Sequence, residues 1–291
     1  MAWHGSWING MQAAAQMHVG AMQLNVELGR LDDNLEQHLA YIAQGREAGL
    51  DLLVFPELSL TGYRLGASVA TAAMLRDDMR LLRLAAAAGS MQVVVGFIEE
   101  ASPGEYFNAL AILQHGELQA VHRKINLPNY GGLEEGKYFC SGTQLTQIQA
   151  FDYWDAAYLI CADLWNPALV HAAMLNRPTV LAVPVNSATD AVSSEFSNET
   201  NWVTNITFYS MMYGTPIIMA NRYGPEGDAF FWGGSRIMGA RGQTLAQAED
   251  GECLITAMLE RAAIARARFE LPTHRDANTP LVQKLLGGST S

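Results

Sequence analysis

Short apolar runs that alternate with amphipathic segments constrain the fold of this chain more than any other feature of its sequence. HVGAMQL at 18–24 is typical of a strand, and the segment after it has helical apolar spacing between Leu31 and Ile42. DLLVFPE at 51–57 is a second short apolar run, which ends near Pro56. The alternation of predicted strands and helices continues along the chain. The sequence contains no low-complexity linker and no internal repeat of the length found in solenoid proteins. We therefore predict a layered α/β domain whose helices cover its sheets.

Apolar runs and helical apolar spacing also predict the remaining strands and helices. Further helices are predicted at 75–88, 168–175 and 203–212, and further strands at 91–100, 108–124 (two strands joined through His115 and Gly116), 156–160, 179–183, 215–220, 234–238 and 253–259. Residues 1–16 are predicted to be an N-terminal extension. Residues 17–291 are predicted to form a single domain, with a tail from about residue 269 that wraps around the domain or frays.

Composition narrows the class of partner. Hydrophobic residues make up 49% of the 291 residues and charged residues 16%, which is ordinary for a globular protein with a large core. The net charge of −11 disfavours nucleic acid and anionic membrane surfaces as partners, and favours a small neutral or cationic molecule.

The cysteines and the long apolar segments indicate the cellular compartment of the protein and whether it crosses a membrane. Three widely separated cysteines argue against a disulfide framework and favour a reducing cytoplasm. The first residues lack the pattern of a secretory signal. The uncharged segment 200–221 is long enough to cross a bilayer, but Asn, Gly and Pro interrupt it. We interpret it as core or as a contact between subunits, and predict no membrane partner.

Three reactive side chains occupy the same position relative to the predicted strands. Glu57 ends DLLVFPE, Lys124 follows LQAVHR, and Cys161 ends AAYLIC. The carboxyl ends of parallel strands open onto the crevice where α/β proteins bind ligands. If the three strands are parallel neighbours, one crevice receives all three side chains.

Together these groups suit nucleophilic attack on an amide or nitrile carbon. A thiol needs a base or a positive neighbour to act as a nucleophile near neutral pH, and Glu57 and Lys124 supply both. Lys124 and the backbone N–H of Ala162 can stabilise the developing negative charge. His122 or His171 is an alternative base, which would make the protein a Cys-His hydrolase.

Each residue also has a purely structural explanation. An isolated cysteine in an apolar strand usually packs in the core, a glutamate after proline usually lies in a solvated loop, and HRK is usually a basic surface cluster. Motifs for other chemistry are absent from the sequence, namely GxGxxG, a phosphate loop, HExxH and GxSxG.

At these three positions the sequence resembles the nitrilase superfamily of carbon–nitrogen hydrolases. FPELSLTGY at 55–63 resembles its glutamate motif, HRKINLPNYGGLEEGKYF at 122–139 its lysine motif and LICADLWNP at 159–167 its cysteine motif, in the family's order. Flanking similarity covers nearly the whole chain from about residue 17. The resemblance implies a four-layer α-β-β-α sandwich, no metal or organic cofactor, and a homodimer or larger homo-oligomer.

The resemblance also assigns roles to residues. It implies that Glu57 is the general base and acid, Lys124 the oxyanion stabiliser and Cys161 the nucleophile. Glu135 matches a second glutamate that positions lysine and substrate, with Glu134 as the adjacent alternative. The N–H of Ala162 is the implied backbone oxyanion donor.

The substrate follows less directly from the motifs. Ala162-Asp163 stands where family nitrilases usually have Trp-Glu, which favours an amide. The motifs look most like the glutaminase domain of glutamine-dependent NAD synthetases. The chain ends at Ser291 without the length of a synthetase domain, and Leu133 stands where glutaminases commonly have an aromatic residue. A stand-alone amidase is therefore predicted.

Four positions are predicted to line the substrate pocket, although each is also explained by ordinary packing or capping. They are Tyr130, Leu133, Trp165 and Asn186. Two alternatives to the amidase remain open: a nitrilase or N-carbamoyl amine hydrolase with the same triad, and a catalytically silent paralogue that acts by binding.

Overall fold

The computed structural model describes residues 15–189, 191–193 and 195–288. Within these residues, two six-stranded sheets pack face to face between two layers of helices. The first sheet has the order β14-β1-β2-β3-β4-β5, and β1, β2 and β3 run parallel to one another. Its strands are β1 (Gln16–Gln23), β2 (Leu52–Val54), β3 (Gln92–Ser102), β4 (Glu105–Gln114), β5 (Glu117–Arg123) and β14 (Cys253–Glu260).

The second sheet repeats this plan. Its order is β13-β12-β9-β8-β7-β6, again with three parallel strands, β7, β8 and β9, at its centre. The strands are β6 (Gln147–Phe151), β7 (Trp154–Tyr158), β8 (Val180–Val185), β9 (Ile217–Asn221), β12 (Arg236–Met238) and β13 (Thr244–Gln247). A separate hairpin pairs β10 (Tyr223–Glu226) with β11 (Ala229–Trp232).

Helices form the outer layers and the end of the chain. The α-helices are α1 (Leu31–Glu47), α2 (Val69–Ala72), α3 (Met79–Ala88), α4 (Pro167–Met174), α5 (Asn198–Tyr213), α6 (Arg261–Glu270), α7 (Thr273–Asp276) and α8 (Thr279–Gly288). Three short 3₁₀ helices span Gly66–Ser68, Glu135–Lys137 and Cys161–Trp165.

Three apolar layers hold the four structural layers together. One fills the space between the sheets, and includes Val54 from the first sheet and Ile218 from the second. A second lies beneath α1 and α3, and a third lies beneath α4 and α5. Because both faces of each sheet are covered, the central strands contain runs of consecutive apolar residues, as VVV in β3 illustrates. The predicted α-β-β-α sandwich is confirmed.

The carboxyl ends of the central strands in both sheets lie at the same end of the sandwich. A parallel bridge joins Leu24, just after β1, to Arg222, just after β9. Strand β5 runs antiparallel to β4, which runs antiparallel to β3, so β5 also ends on this side. Three chain segments that follow strands of different sheets can therefore meet there.

Several sequence predictions differ from the structure in detail. The helix predicted from residue 75 begins only at Met79, because Met74 bridges to Glu99 and Asp78 caps the helix by accepting the N–H of Arg80. Strands β6, β10, β11 and β13 were not predicted. The tail predicted from about residue 269 is helical, with α6 continuing to Glu270 and α7 and α8 following it.

The predicted N-terminal extension falls mostly outside the described residues, and Gln16 already belongs to β1. Among the helices that the structure describes, no helix is both long and apolar enough to span a bilayer.

Candidate active site

Glu57 lies three residues beyond β2 and is fully buried. The next residue, Leu58, has a φ of +47°, so the chain turns sharply here in a conformation that non-glycine residues rarely adopt. Gly96 in β3 makes this turn possible, because a Cβ at that position would lie 2.2 Å from the backbone nitrogen of Leu58. The amide of Asn186 donates to the backbone carbonyl of Glu57 at 2.9 Å. The glutamate is thus fixed through its backbone.

Lys124 is the first residue after β5, and its side chain is buried with two carboxylates. Its Nζ donates to Oε1 of Glu57 and to Oε1 of Glu135, each at 2.6 Å. Asn108 in β4 donates to the same Glu57 oxygen at 2.7 Å. An ammonium has three N–H donors, so these two bonds leave Lys124 one donor for another acceptor.

The structure brings Glu135 to Lys124 and leaves Glu134 at the surface. Glu135 begins the 3₁₀ helix Glu135–Lys137, is buried, and accepts the hydroxyl of Tyr63 at 2.5 Å. The side chain of Glu134 is 66% exposed and pairs with Lys137.

Cys161 begins the 3₁₀ helix that follows β7, and its φ of +43° places it in a strained left-handed turn. The buried carboxylate of Asp163 stabilises this turn by accepting the N–H of Ile160 at 2.9 Å. Its other oxygen accepts the N–H of Ile125 at 3.1 Å and of Asn126 at 2.6 Å. One side chain therefore links the cysteine segment to the lysine segment.

The three strands that precede Glu57, Lys124 and Cys161 are not parallel neighbours, so that part of the prediction is wrong. β2 and β5 belong to the first sheet, with two strands between them, and β7 belongs to the second. The side chains converge because the sheets are stacked with their carboxyl ends on the same side.

The charges of the site shift the pKa values of its members. Burial opposes the charge of Lys124, but the nearby Glu135 and Glu57 carboxylates outweigh it and hold the lysine pKa well above its usual value. Burial raises the pKa of Glu135 to about 7, against the opposing effect of Lys124. Burial and the charge of Glu57 raise the pKa of Cys161, while Lys124 and the backbone N–H of Asn186 favour its thiolate. The resting cysteine is therefore a thiol that needs a base.

A cavity of about 230 Å³ opens onto Cys161. Each of the predicted pocket positions lines it: Tyr130, Leu133, Trp165 and Asn186, together with Ala162, Glu135 and Tyr63. A neighbouring cavity of similar size lies on the other side of Tyr63 and Glu135, which line both, and it is also lined by Arg64 and Tyr138.

Four buried oxygen atoms around the site accept no hydrogen bond from any described residue. They are Oε2 of Glu57, Oδ1 of Asn108, Oε2 of Glu135 and Oδ1 of Asn186. Glu135 and Asn186 also line the cavity. Buried polar atoms are normally satisfied, so their unpaired oxygens favour a ligand that donates N–H or O–H groups.

Neither histidine that was considered as an alternative base is hydrogen-bonded to Cys161. His122 is buried, with Nδ1 at 3.2 Å from the hydroxyl of Thr146 and Nε2 at 4.0 Å from Asp163. His171 lies on α4 with Nδ1 at 3.1 Å from the hydroxyl of Tyr213. Glu57 and Lys124, by contrast, lie close enough to Cys161 for their charges to act on its thiol.

Sequence reasoning did not identify Asn108, Tyr63 or Asp163 as parts of the site. Asn108 carried a signal, since it is a single amide in the apolar strand FNALAIL, where only a buried partner would make it favourable. Tyr63 and Asp163 lie within the quoted motifs, but their partners are distant in sequence. In the part of the chain that the structure describes, no group of three His, Cys, Asp or Glu residues is arranged to hold a metal ion.

Comparison with known proteins identifies a family. The carbon–nitrogen hydrolase family matches residues 18–269. The glutamine-dependent NAD(+) synthetase of Thermotoga maritima is 29% identical over 234 residues, which cover 79% of this chain and 39% of that protein. The chain thus spans less than half the length of that relative.

Two further proteins are similar over most of their length. Citrullinase of Francisella tularensis is 23% identical over 292 residues, covering 94% of this chain and 99% of that protein. The structure of a cysteine-to-alanine mutant of the Nesterenkonia AN1 amidase, from the nitrilase superfamily, superposes with a TM-score of 0.74 at 25% identity, covering 89% of this chain and 96% of that one.

Proposed function

The chain belongs to the carbon–nitrogen hydrolase family, and from this premise we propose that it is an amidase that converts a small carboxamide to a carboxylate and ammonia through a thioester on Cys161. The observation that carries the proposal is a buried cluster in which Lys124 is bonded to both Glu57 and Glu135. The charges of this cluster act on the thiol of Cys161, which lines the same cavity as the unpaired oxygens of Glu135 and Asn186.

In the first half of the reaction, Sγ of Cys161 attacks the amide carbon while Glu57 takes the thiol proton. The carbonyl oxygen becomes an oxyanion, which the remaining N–H of Lys124 and the backbone N–H of Ala162 stabilise. Collapse of this intermediate breaks the C–N bond, and Glu57 passes its proton to the leaving nitrogen, which departs as ammonia.

In the second half, Glu57 takes a proton from water, whose oxygen attacks the thioester carbon. The C–S bond breaks, the carboxylic acid leaves, and the proton on Glu57 returns to the sulfur of Cys161. Lys124 stabilises the second oxyanion as it does the first. Glu135 positions the lysine throughout, because it accepts one of the lysine's N–H groups and itself accepts the Tyr63 hydroxyl.

The unpaired acceptors favour an amide over a nitrile. A primary amide presents two N–H donors, which buried acceptors such as Oδ1 of Asn186 can bind. A nitrile nitrogen has no hydrogen to donate and would leave these acceptors unsatisfied, at a cost of about 1–3 kcal/mol for each.

A ureido compound is the second candidate substrate, since its terminal NH₂ presents the same donors. The full-length similarity to a protein named citrullinase supports this alternative. The same triad would then cleave a carbamoyl C–N bond.

A panel of primary amides, N-carbamoyl amines and nitriles tests the proposal when ammonia is measured with the wild-type protein and with Cys161→Ala. We expect ammonia from amides, slower or no release from the matched nitriles, and none with Cys161→Ala. Release that survives in Cys161→Ala contradicts the thioester. No release from any compound, with Cys161 unreactive toward a small alkylating amide, favours a silent binding protein.

A further inference from the structure

The wall of the cavity beyond Cys161 is apolar and aromatic. It is formed by the side chains of Tyr130, Leu133, Trp165, Val192, Phe196 and Trp202. Tyr130 is half exposed at the surface, whereas Trp202 is almost fully buried. This wall surrounds the position of the acyl group of an amide whose carbonyl carbon lies beside Cys161.

The aromatic part of the wall is internally packed. The ring of Trp165 contacts Trp202 at 5.2 Å between centroids, with 77° between the planes, and Phe196 at 5.9 Å with 64°. Edge-to-face contacts of this kind stabilise a pair of rings beyond the effect of area burial. The rings therefore support one another, and the cavity has a defined apolar shape without a ligand.

Two polar side chains on the wall, Ser187 and Asn198, already have partners within the protein. Ser187 accepts the indole N–H of Trp232 at 3.1 Å. The side-chain amide of Asn198 donates to the carbonyls of Ala188 and Thr189. Ser187 and Asn198 therefore stabilise the cavity wall. The unpaired acceptors in the cavity are oxygens of Glu135 and Asn186.

The wall offers no cation to an acidic ligand among residues 15–189, 191–193 and 195–288. The charged side chain that lines it there is Glu135, which is bonded to Lys124. Arg64 lines the neighbouring cavity on the far side of Tyr63 and is paired with Asp228. An amide with a carboxylate in its acyl group would thus lose hydration without gaining a counter-ion, which is strongly unfavourable.

We propose that the cavity selects carboxamides with an uncharged, apolar acyl group, branched or aromatic, over amino-acid amides such as glutamine. This inference rests on the proposed amide hydrolysis and adds the substrate class. A cavity of about 230 Å³ is larger than the roughly 150 Å³ that holds a benzene molecule in a protein core, so it suits an acyl group of moderate size.

Three amides of matched chain length test the selectivity. The compounds are 5-methylhexanamide, glutaramate, in which a carboxylate replaces the isopropyl group, and L-glutamine. We expect kcat/KM, measured by ammonia release, to be at least ~100-fold higher for 5-methylhexanamide than for glutaramate or L-glutamine. Each tenfold step in kcat/KM corresponds to about 1.4 kcal/mol of free energy. Equal or higher kcat/KM for glutaramate or glutamine overturns the inference.

A charge placed on the wall should reverse the preference. We expect Leu133→Arg to raise kcat/KM for glutaramate relative to 5-methylhexanamide by at least ~10-fold, because it supplies the counter-ion. Leu145→Arg is the matched control, since Leu145 is 39% exposed and lies outside the cavity. An unchanged ratio in Leu133→Arg, or the same change in both variants, contradicts the inference.

A second variant tests the aromatic wall without adding charge. We expect Phe196→Ala to lower the ratio of kcat/KM for 5-methylhexanamide to that for acetamide by ~10-fold, because the shorter acyl group does not reach the ring. An unchanged ratio contradicts the proposed path of the acyl group.

The outcomes also separate this inference from the proposed function. Ammonia release from glutamine alone, dependent on Cys161, leaves the amidase proposal intact and overturns the selectivity. Absence of release from every amide overturns both.

Discussion

Glu135 provides a quantitative test of the buried charge cluster. Burial raises its pKa from 4.5 to about 7, so the folded protein retains a proton that the unfolded chain releases between these pH values. Stability therefore falls as the pH rises through this window. At 1.36 kcal/mol for each pH unit, a shift of roughly 2.5 units corresponds to about 3 kcal/mol. Glu135→Gln removes the titrating group and the cost of ionising it.

We expect the free energy of unfolding of Glu135→Gln, relative to the wild type, to increase by about 3 kcal/mol between pH 4.5 and pH 8. Urea unfolding at half-unit steps of pH measures this difference. With an unfolding entropy of about 2.1 cal/mol/K per residue, the corresponding difference in Tm is about 5 °C.

Glu134→Gln is the matched control, because it changes the neighbouring residue, whose side chain is 66% exposed and forms a surface ion pair with Lys137. We expect it to change stability by less than about 1 kcal/mol at every pH. Parallel pH profiles for the wild type and Glu135→Gln would refute the argument that burial controls ionisation at this position.

Other predictions concern the supports of the site and its outer surface. Gly96→Ala should destabilise the protein by about 1–3 kcal/mol or more and lower kcat at least tenfold, because the added Cβ displaces the turn that carries Glu57. Urea unfolding measures the loss of stability, and ammonia release measures kcat. Glu226→Gln should cost about 3–5 kcal/mol of unfolding free energy, because it leaves the buried guanidinium of Arg222 without its carboxylate. Phe208, 49% exposed on the nearly uncharged α5, is predicted to lie in a subunit contact, so Phe208→Asp should lower the mass measured by analytical ultracentrifugation.

Much of the order of elements could be predicted from local sequence, although strands β6, β10, β11 and β13 were missed. The positions of the reactive residues could also be predicted. A proline after a buried strand, a lysine after a hairpin and a cysteine after an apolar run each mark the end of a strand, and each lies where the structure has one. Local patterns cannot assign strands to sheets, because that depends on contacts between distant segments. We therefore considered the strands before Glu57, Lys124 and Cys161 as parallel neighbours in one sheet, whereas they belong to two stacked sheets.

The burial and the hydrogen-bond partners of the site residues could not be predicted from the sequence. The sequence favoured Glu135 over Glu134 only through its distance from Tyr138 and Phe139, whereas burial beside Lys124 separates the two directly. The link that Asp163 makes to Ile125 and Asn126 crosses more than thirty residues of sequence. Such contacts depend on how the two sheets stack, and no periodicity in the chain encodes them.

The central claim is that Cys161 becomes acylated during turnover. The most direct test is mass spectrometry of protein quenched with acid while it hydrolyses a neutral amide, with hydroxylamine added to a parallel sample. We expect an acyl group on Cys161, its transfer to hydroxylamine as a hydroxamate, and loss of both in Cys161→Ala. Continued ammonia release without an adduct on Cys161, and with full activity in Cys161→Ala, would contradict it.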